Sequence, residues 1–115
     1  MATHTSAFLP ALERDELPAD RAFVLLFSAH WCGPCRPFAP RVEAAVTARG
    51  DVELIKVDTE ALAEVAARFG IRSVPTLVVI TGGSERGRHC GAIPDAALRH
   101  WLDNTLSPSA AVCSA

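Results

Sequence analysis

The sequence lacks the features that mark nucleic-acid binders and membrane proteins. Its 115 residues carry 11 Lys and Arg against 13 Asp and Glu, a net charge of −2, and no basic cluster is interleaved with aromatic residues. Proteins that bind nucleic acid usually present a basic patch, so we expect proteins or small molecules as partners. No apolar run approaches the roughly 20 residues that span a bilayer. We therefore expect neither nucleic acid nor a membrane as a partner.

The beginning of the chain also lacks a targeting signal. Residues 1–21, MATHTSAFLPALERDELPADR, have no basic start, no uninterrupted apolar stretch and several acidic residues, unlike a secretory signal peptide. We therefore expect a cytoplasmic protein. The chain has no internal repeat and no interdomain linker, and its length suits one domain with one core.

Cysteines are too few and too unevenly spread to form the disulfide framework of a small secreted domain. The four are Cys32, Cys35, Cys90 and Cys113. They do not match a zinc site either. A closed tetrahedral site needs four ligands, normally with a second Cys or His pair at matching spacing, and no such pair is present. The nearest candidates for a second pair, His89 and Cys90, are neighbours on a predicted strand and so point to opposite faces. For Cys32 and Cys35 we prefer redox exchange to metal binding or an inert structural pair.

Hydrophobic periodicity predicts strands that alternate with helices. Three short, almost continuously apolar runs predict strands of a buried central sheet, at 22–28, 52–57 and 76–80. Apolar residues at helical spacing follow each of the first two strands. These helices should end at Gly50 and Gly70, which suit C-terminal caps, and Pro40 should bend the first.

The last third of the chain predicts a hairpin and a helix. The turn-rich stretch TGGSERGR, 81–88, should lead into a short strand around 88–90. Asp95 suits the N-terminus of a final helix, whose apolar positions are Leu98, Trp101, Leu102 and Leu106. Residues 107–115 show no pattern, and we expect a flexible tail.

The cysteine pair lies where the first predicted strand runs into a helix, in WCGPC at 31–35. Unpaired backbone N–H groups and the helix dipole in a first turn stabilise a thiolate, so Cys32 is the predicted nucleophile, exposed to solvent. Gly33 permits close approach of a partner chain, and Pro34 fits the first turn. The spacing brings Cys35 within bonding reach on the more buried side, where it can resolve a mixed disulfide.

Four segments together resemble the thioredoxin family, over about 21–106: WCGPC, KVD at 56–58, FGIRSVPTLVVI at 69–80 and CGA at 90–92. The resemblance implies an α/β thioredoxin fold, a central mixed sheet flanked by helices, in a single domain over 1–106 that matches weakly in 1–20. It implies protein dithiol–disulfide exchange without a cofactor. The Gly-Pro between the cysteines resembles the reducing members, so we expect reduction of protein disulfides with electrons from a flavin-dependent thioredoxin reductase.

The resemblance also implies which residues touch substrate. It places the family's cis proline at Pro75 and its substrate groove at Trp31, Gly33, Pro34, Val74, Pro75 and Gly91. A substrate peptide would add to the backbone of Val74 like a short strand. Cys90 is then either a small buried hydrophobic residue or a third thiol at the rim of the site that oxidants can cap. Cys113 competes for such an adduct.

Three positions depart from the family's pattern. Leu26 stands where a buried aspartate is usual, Leu54 where we expect its lysine partner, and Ser28 where a tryptophan is common. Without the aspartate, deprotonation of Cys35 should be slower. These departures support an alternative function, a thioredoxin-fold adaptor or redox-sensing binding module with little turnover.

Two residues near the pair have a less specific interpretation. His30 either tunes Cys32 or is a solvated loop residue. Asp58 and Glu60 are expected at the start of the helix that follows the second strand, where their charge is favourable.

Overall fold

The computed structural model describes residues 6–107, so Cys113 and nearly all of the expected tail at 107–115 lie outside the described residues. A 3-10 turn, Ser6–Phe8, opens the described part. The helices are α1 Leu9–Glu13, α2 Cys35–Arg49, α3 Ala63–Arg68 and α4 Asp95–Leu106. The strands are β1 Ala22–Ser28, β2 Glu53–Asp58, β3 Thr76–Thr81 and β4 Ser84–Cys90.

The strands form one mixed sheet in the order β2-β1-β3-β4. β1 pairs in parallel with β2, and both β1–β3 and β3–β4 are antiparallel. A parallel pair needs a long crossover, and α2 supplies it between β1 and β2. The sheet with its flanking helices confirms the expected fold class. No helix within 6–107 is long and apolar enough to cross a membrane.

The near-continuous apolar runs of β1 and β3 are explained by two separate cores, one on each face of the sheet. Successive residues of β1 point to opposite faces: Val24 and Leu26 contact one core, Phe23 and Leu25 the other. Helices α2 and α4 cover the first face through Phe38, Val42, Val46, Leu98 and Leu102. Helices α1 and α3 cover the second through Leu12, Val65 and Ala66.

The helix ends follow the predicted signals. Gly50, with φ of 75°, ends α2, and its N–H donates to the carbonyl oxygen of Val46. Gly70, with φ of 65°, follows α3. Both backbone conformations favour glycine because it has no Cβ. Pro40 lies within α2, and α4 begins at Asp95 as predicted.

The hairpin is tighter than predicted. The turn consists of Gly82 and Gly83 alone, both with positive φ, which is the backbone of a two-residue hairpin turn. β4 therefore begins at Ser84 and is longer than the expected short strand at 88–90. Its polar residues suit it because β4 is an edge strand.

The N-terminal part contains structure that the sequence pattern did not indicate. Leu12 of α1 is buried, and the rings of Phe8 and Phe23 meet edge to face with centroids 5.1 Å apart. Arg68 of α3 donates hydrogen bonds to the carbonyl oxygens of Leu12 and Glu13, both at 2.8 Å. These contacts fasten α1 to the second core.

The strand register corrects the expectation that Leu54 stands at the position of the family's lysine partner. Leu54 pairs with Val24, and the residue beside Leu26 is Lys56. The ammonium group of Lys56 lies 2.6 Å from a carboxylate oxygen of Glu43 on α2. A lysine is therefore present next to position 26, but it pairs with a glutamate on the helix.

Candidate redox site

The cysteine pair joins the end of the β1 loop to the first turn of α2. Cys35 is the first residue of α2, and Cys32 and Cys35 form a disulfide with their Cα atoms 5.4 Å apart. This confirms the predicted bonding reach. The backbone N–H of Cys35 donates to the Cys32 sulfur at 3.2 Å, a contact that would favour a thiolate on Cys32 once the bond is opened.

The expectation that Cys32 is exposed is wrong for this disulfide form. Cys32 is 4% exposed and Cys35 is 5% exposed, because the closed bond packs with Ala29 and Val74. Trp31 stands out instead, with 63% of its surface exposed. The residue next to Cys32 in the chain therefore presents a large exposed ring, while both cysteines are buried.

The segment before β3 lies directly against the pair. The Val74–Pro75 peptide bond is cis, as the resemblance implied. The carbonyl oxygen of Val74 is 3.8 Å from the Cys32 sulfur, and the N–H of Gly91 donates to the carbonyl oxygen of Pro75 at 2.8 Å. Val74, Pro75 and Gly91 therefore gather on one side of Cys32.

The residues between the cysteines are accessible from outside. Gly33 and Pro34 are both exposed. A Cβ built on Gly33 would meet no atom within 4 Å, so the backbone there borders open space. All six residues expected in the groove thus belong to the surroundings of the disulfide: Trp31, Gly33, Pro34, Val74, Pro75 and Gly91.

A contact that the sequence reasoning missed joins Trp31 to Glu60. The indole Nε1–H of Trp31 donates to Glu60 Oε2 at 2.7 Å, and Nδ1 of His30 lies 3.3 Å from Glu60 Oε1. The two partners are 29 residues apart in the chain, and no local pattern could have linked them. Glu60 therefore holds the indole ring at one edge of the site.

Asp58 and Glu60 do not begin the next helix as expected, because α3 starts at Ala63. Asp58 ends β2, and its Oδ1 accepts the backbone N–H groups of Glu60 and Ala61 at 2.8 and 3.2 Å. These two hydrogen bonds stabilise the charged form and lower the pKa of Asp58. The resulting turn is what directs Glu60 towards Trp31.

A small cavity lies between Trp31 and the Val74 segment. Its volume is about 120 Å³. We call it the Arg72 pocket, and it is lined by Trp31, Thr59, Ile71, Arg72, Ser73 and Val74. It shares Val74, whose carbonyl oxygen lies 3.8 Å from the Cys32 sulfur.

Cys90 is exposed, so its interpretation as a buried residue is wrong. It ends β4 opposite Thr76, next to Gly91. His89 points to the other face, where its ring lies 6.0 Å from that of Trp101. Within residues 6–107 no group of three His, Cys, Asp or Glu side chains is placed to hold a metal ion.

Comparison with known proteins gives one consistent family. A family model described as Thioredoxin matches residues 3–104. Thioredoxin 1 of Nostoc is 38% identical over 95 residues, 82% of this chain and 89% of that protein. A Streptomyces coelicolor relative is 46% identical over 85 residues, and the chain spans 63% of that protein's length. The structure of Fasciola hepatica thioredoxin superposes with a TM-score of 0.72 at 33% identity, covering 90% of this chain and 96% of the other.

Proposed function

The chain belongs to the thioredoxin family of dithiol–disulfide oxidoreductases, and from this premise we propose that it reduces disulfide bonds in proteins through Cys32 and Cys35. The single observation that supports this best is the closed Cys32–Cys35 disulfide at the first turn of α2. The N–H group of Cys35 pointing at the Cys32 sulfur supports Cys32 as the attacking residue.

The reaction proceeds in two exchanges. In the reduced protein, the Cys32 thiolate attacks one sulfur of the substrate disulfide, a mixed disulfide forms, and the other substrate sulfur leaves as a thiolate. Cys35 then loses its proton to solvent and attacks the Cys32 sulfur. The second substrate thiolate leaves, and the Cys32–Cys35 bond closes. Two electrons pass from the protein's thiols to the substrate.

The proposed substrate groove consists of Trp31, Gly33, Pro34, Val74, Pro75 and Gly91. The Val74 carbonyl beside the Cys32 sulfur is an acceptor for an extended substrate backbone. The open space at Gly33 lets a second chain approach the disulfide.

The proposal also covers the electron donor, the cellular location and the extent of the domain. A second dithiol must return the electrons, and we propose a flavin-dependent thioredoxin reductase, with no cofactor bound by this chain. We place the protein in the cytoplasm, as an electron carrier in cell redox homeostasis. The domain is proposed to take in residues 1–106.

One observation favours a second candidate function, an adaptor or redox sensor with little turnover. Leu26 is 1% exposed and belongs to the apolar cluster under α2, so no carboxylate there takes the Cys35 proton. A slow second exchange would leave the protein attached to its partner as a mixed disulfide.

An insulin reduction assay separates the two functions. We expect turbidity to develop faster than with dithiothreitol alone, and again with NADPH and a thioredoxin reductase, while Cys32→Ser is inactive. Cys35→Ser is expected to accumulate a mixed disulfide with insulin, visible by mass spectrometry. A folded protein that never exceeds the dithiothreitol background would contradict the reductase and favour the adaptor.

A further inference from the structure

The Arg72 pocket has the size of one side chain. Its volume of about 120 Å³ is well below the roughly 300–1,000 Å³ of sites that hold drug-sized ligands. Trp31, Ile71 and Val74 give it apolar walls, and Thr59, Ser73 and Arg72 add polar groups. Its Trp31 wall is positioned by the hydrogen bond to Glu60.

Arg72 differs from most basic residues of the protein. Seven of the other ten Lys and Arg side chains pair with a carboxylate: Arg14, Arg21, Arg41, Arg49, Lys56, Arg68 and Arg88. Arg72 is exposed, and within residues 6–107 it has neither a hydrogen bond nor an ion pair. A guanidinium carries five N–H donors suited to a carboxylate. All of those donors remain available to a ligand.

The carboxylates on either side of Thr59 in the chain are already engaged. Asp58 accepts two backbone N–H groups, and Glu60 is shared between Trp31 and His30. Their charges oppose an incoming acidic group only through solvent-screened interactions, whereas Arg72 can donate hydrogen bonds to it directly. The pocket therefore offers an incoming acidic group direct contact with a cation, the Arg72 guanidinium.

In the proposed strand-like binding mode, backbone spacing relates the pocket to one residue of the substrate. Arg72 precedes Val74 by two residues, so the two are at most about 7 Å apart along the chain. Val74 lies beside the Cys32 sulfur, which attacks the substrate cysteine. In an extended substrate, side chains two residues apart share a face. The side chain over Arg72 is then the one two residues from the substrate cysteine.

We propose that the Arg72 pocket selects disulfide substrates with an aspartate or glutamate two residues from the attacked cysteine, whose carboxylate binds the Arg72 guanidinium. This assignment rests on the proposed reductase function and adds a substrate class to it.

The test uses symmetric disulfides of short peptides that contain one cysteine. Glu, Gln or Lys stands two residues before or after that cysteine. The full-length protein is reduced, freed of reductant and mixed with each peptide, and the second-order rate constant of its oxidation is measured. The variants are Arg72→Gln and Arg72→Glu. Arg86→Glu is the matched control, because Arg86 is another exposed arginine without a partner in the described chain, near the hairpin end of β4.

We expect the wild type to react about two- to fivefold faster with one Glu peptide than with its Lys counterpart, the range of an exposed ion pair. Arg72→Gln should abolish this ratio, Arg72→Glu should invert it, and Arg86→Glu should preserve it. Equal wild-type rates for the three peptides would overturn the substrate class and leave the reductase intact. A preference for Glu that survives in Arg72→Glu would also overturn it. Failure of wild type to oxidise with any peptide would instead contradict the reductase function.

Discussion

Leu26→Asp tests whether the missing carboxylate limits the second exchange. Leu26 is 1% exposed in the apolar core beneath α2, and the helix begins with Cys35. A carboxylate at this position would give the Cys35 thiol a proton acceptor inside the protein. General bases contribute about a hundredfold or more where they are well placed. We expect at least about a tenfold faster resolution of the mixed disulfide near neutral pH.

The same substitution should destabilise the fold. Loss of a buried leucine side chain costs about 2–5 kcal/mol, and burial of a polar group in its place adds to that cost. We expect the free energy of unfolding to fall by about 3–5 kcal/mol. Lys56, paired with position 26 across the sheet, partly offsets the loss when the new carboxyl is charged.

The stability of the variant should also depend on pH. Burial raises the pKa of the introduced carboxyl above its unfolded value of about 3.9, so the folded state binds the proton more tightly than the unfolded state. Its contribution is then fully present below about pH 3.9 and is lost as the pH rises through the folded pKa. The stability deficit should grow from pH 4 to pH 8.

The assay combines urea unfolding at pH 4 and pH 8 with stopped-flow kinetics of mixed-disulfide resolution. Leu26→Asn is the matched control, because it has a similar shape and polarity but cannot accept the proton. It should lose stability without gaining rate and without the pH trend. If Leu26→Asp is folded and resolves no faster than wild type, another group already removes the Cys35 proton and the reasoning is refuted.

Other contacts make separate predictions. A Cβ on Gly87 would lie 3.1 Å from Cγ2 of Thr105, so Gly87→Ala should lower the free energy of unfolding by about 1 kcal/mol. Thr105→Ser should relieve that loss in the double variant, and a fully additive cycle would contradict the contact. Arg68→Met removes both hydrogen bonds to α1 and should cost about 1–3 kcal/mol, with faster proteolysis before β1; unchanged cleavage would refute this anchor. In the oxidised protein, iodoacetamide should label Cys90, and Cys90→Ser should take up one equivalent less; equal uptake would show that Cys90 is shielded.

The parts of the fold that could be predicted are those that depend on local patterns. Near-continuous apolar runs located β1 and β3, because both strands are covered on both faces. Gly50 and Gly70 marked helix ends, because their positive φ is a local requirement. The short α1 was missed, because it is held by tertiary contacts from Arg68 and not by its own periodicity.

The redox site also has one feature that local sequence predicts and one that it does not. Cys32 and Cys35 are three residues apart in the chain, so their bonding reach follows from sequence spacing, and the structure confirms it. The burial of Cys32 was not predictable from position at a helix N-terminus, because it depends on Val74, 42 residues away in the chain.

The exposed ring of Trp31 has a distant partner too. An exposed tryptophan loses the rotamer freedom of its two side-chain torsions when a substrate packs on it. Its hydrogen bond to Glu60 restricts the ring before binding, and the turn made by Asp58 in turn positions Glu60. Part of the entropy lost in ordering Trp31 for substrate binding is therefore already lost in the folded protein. Because this restraint links the turn after β2 to the loop after β1, it depends on the parallel pairing of those strands and cannot be found in either segment alone.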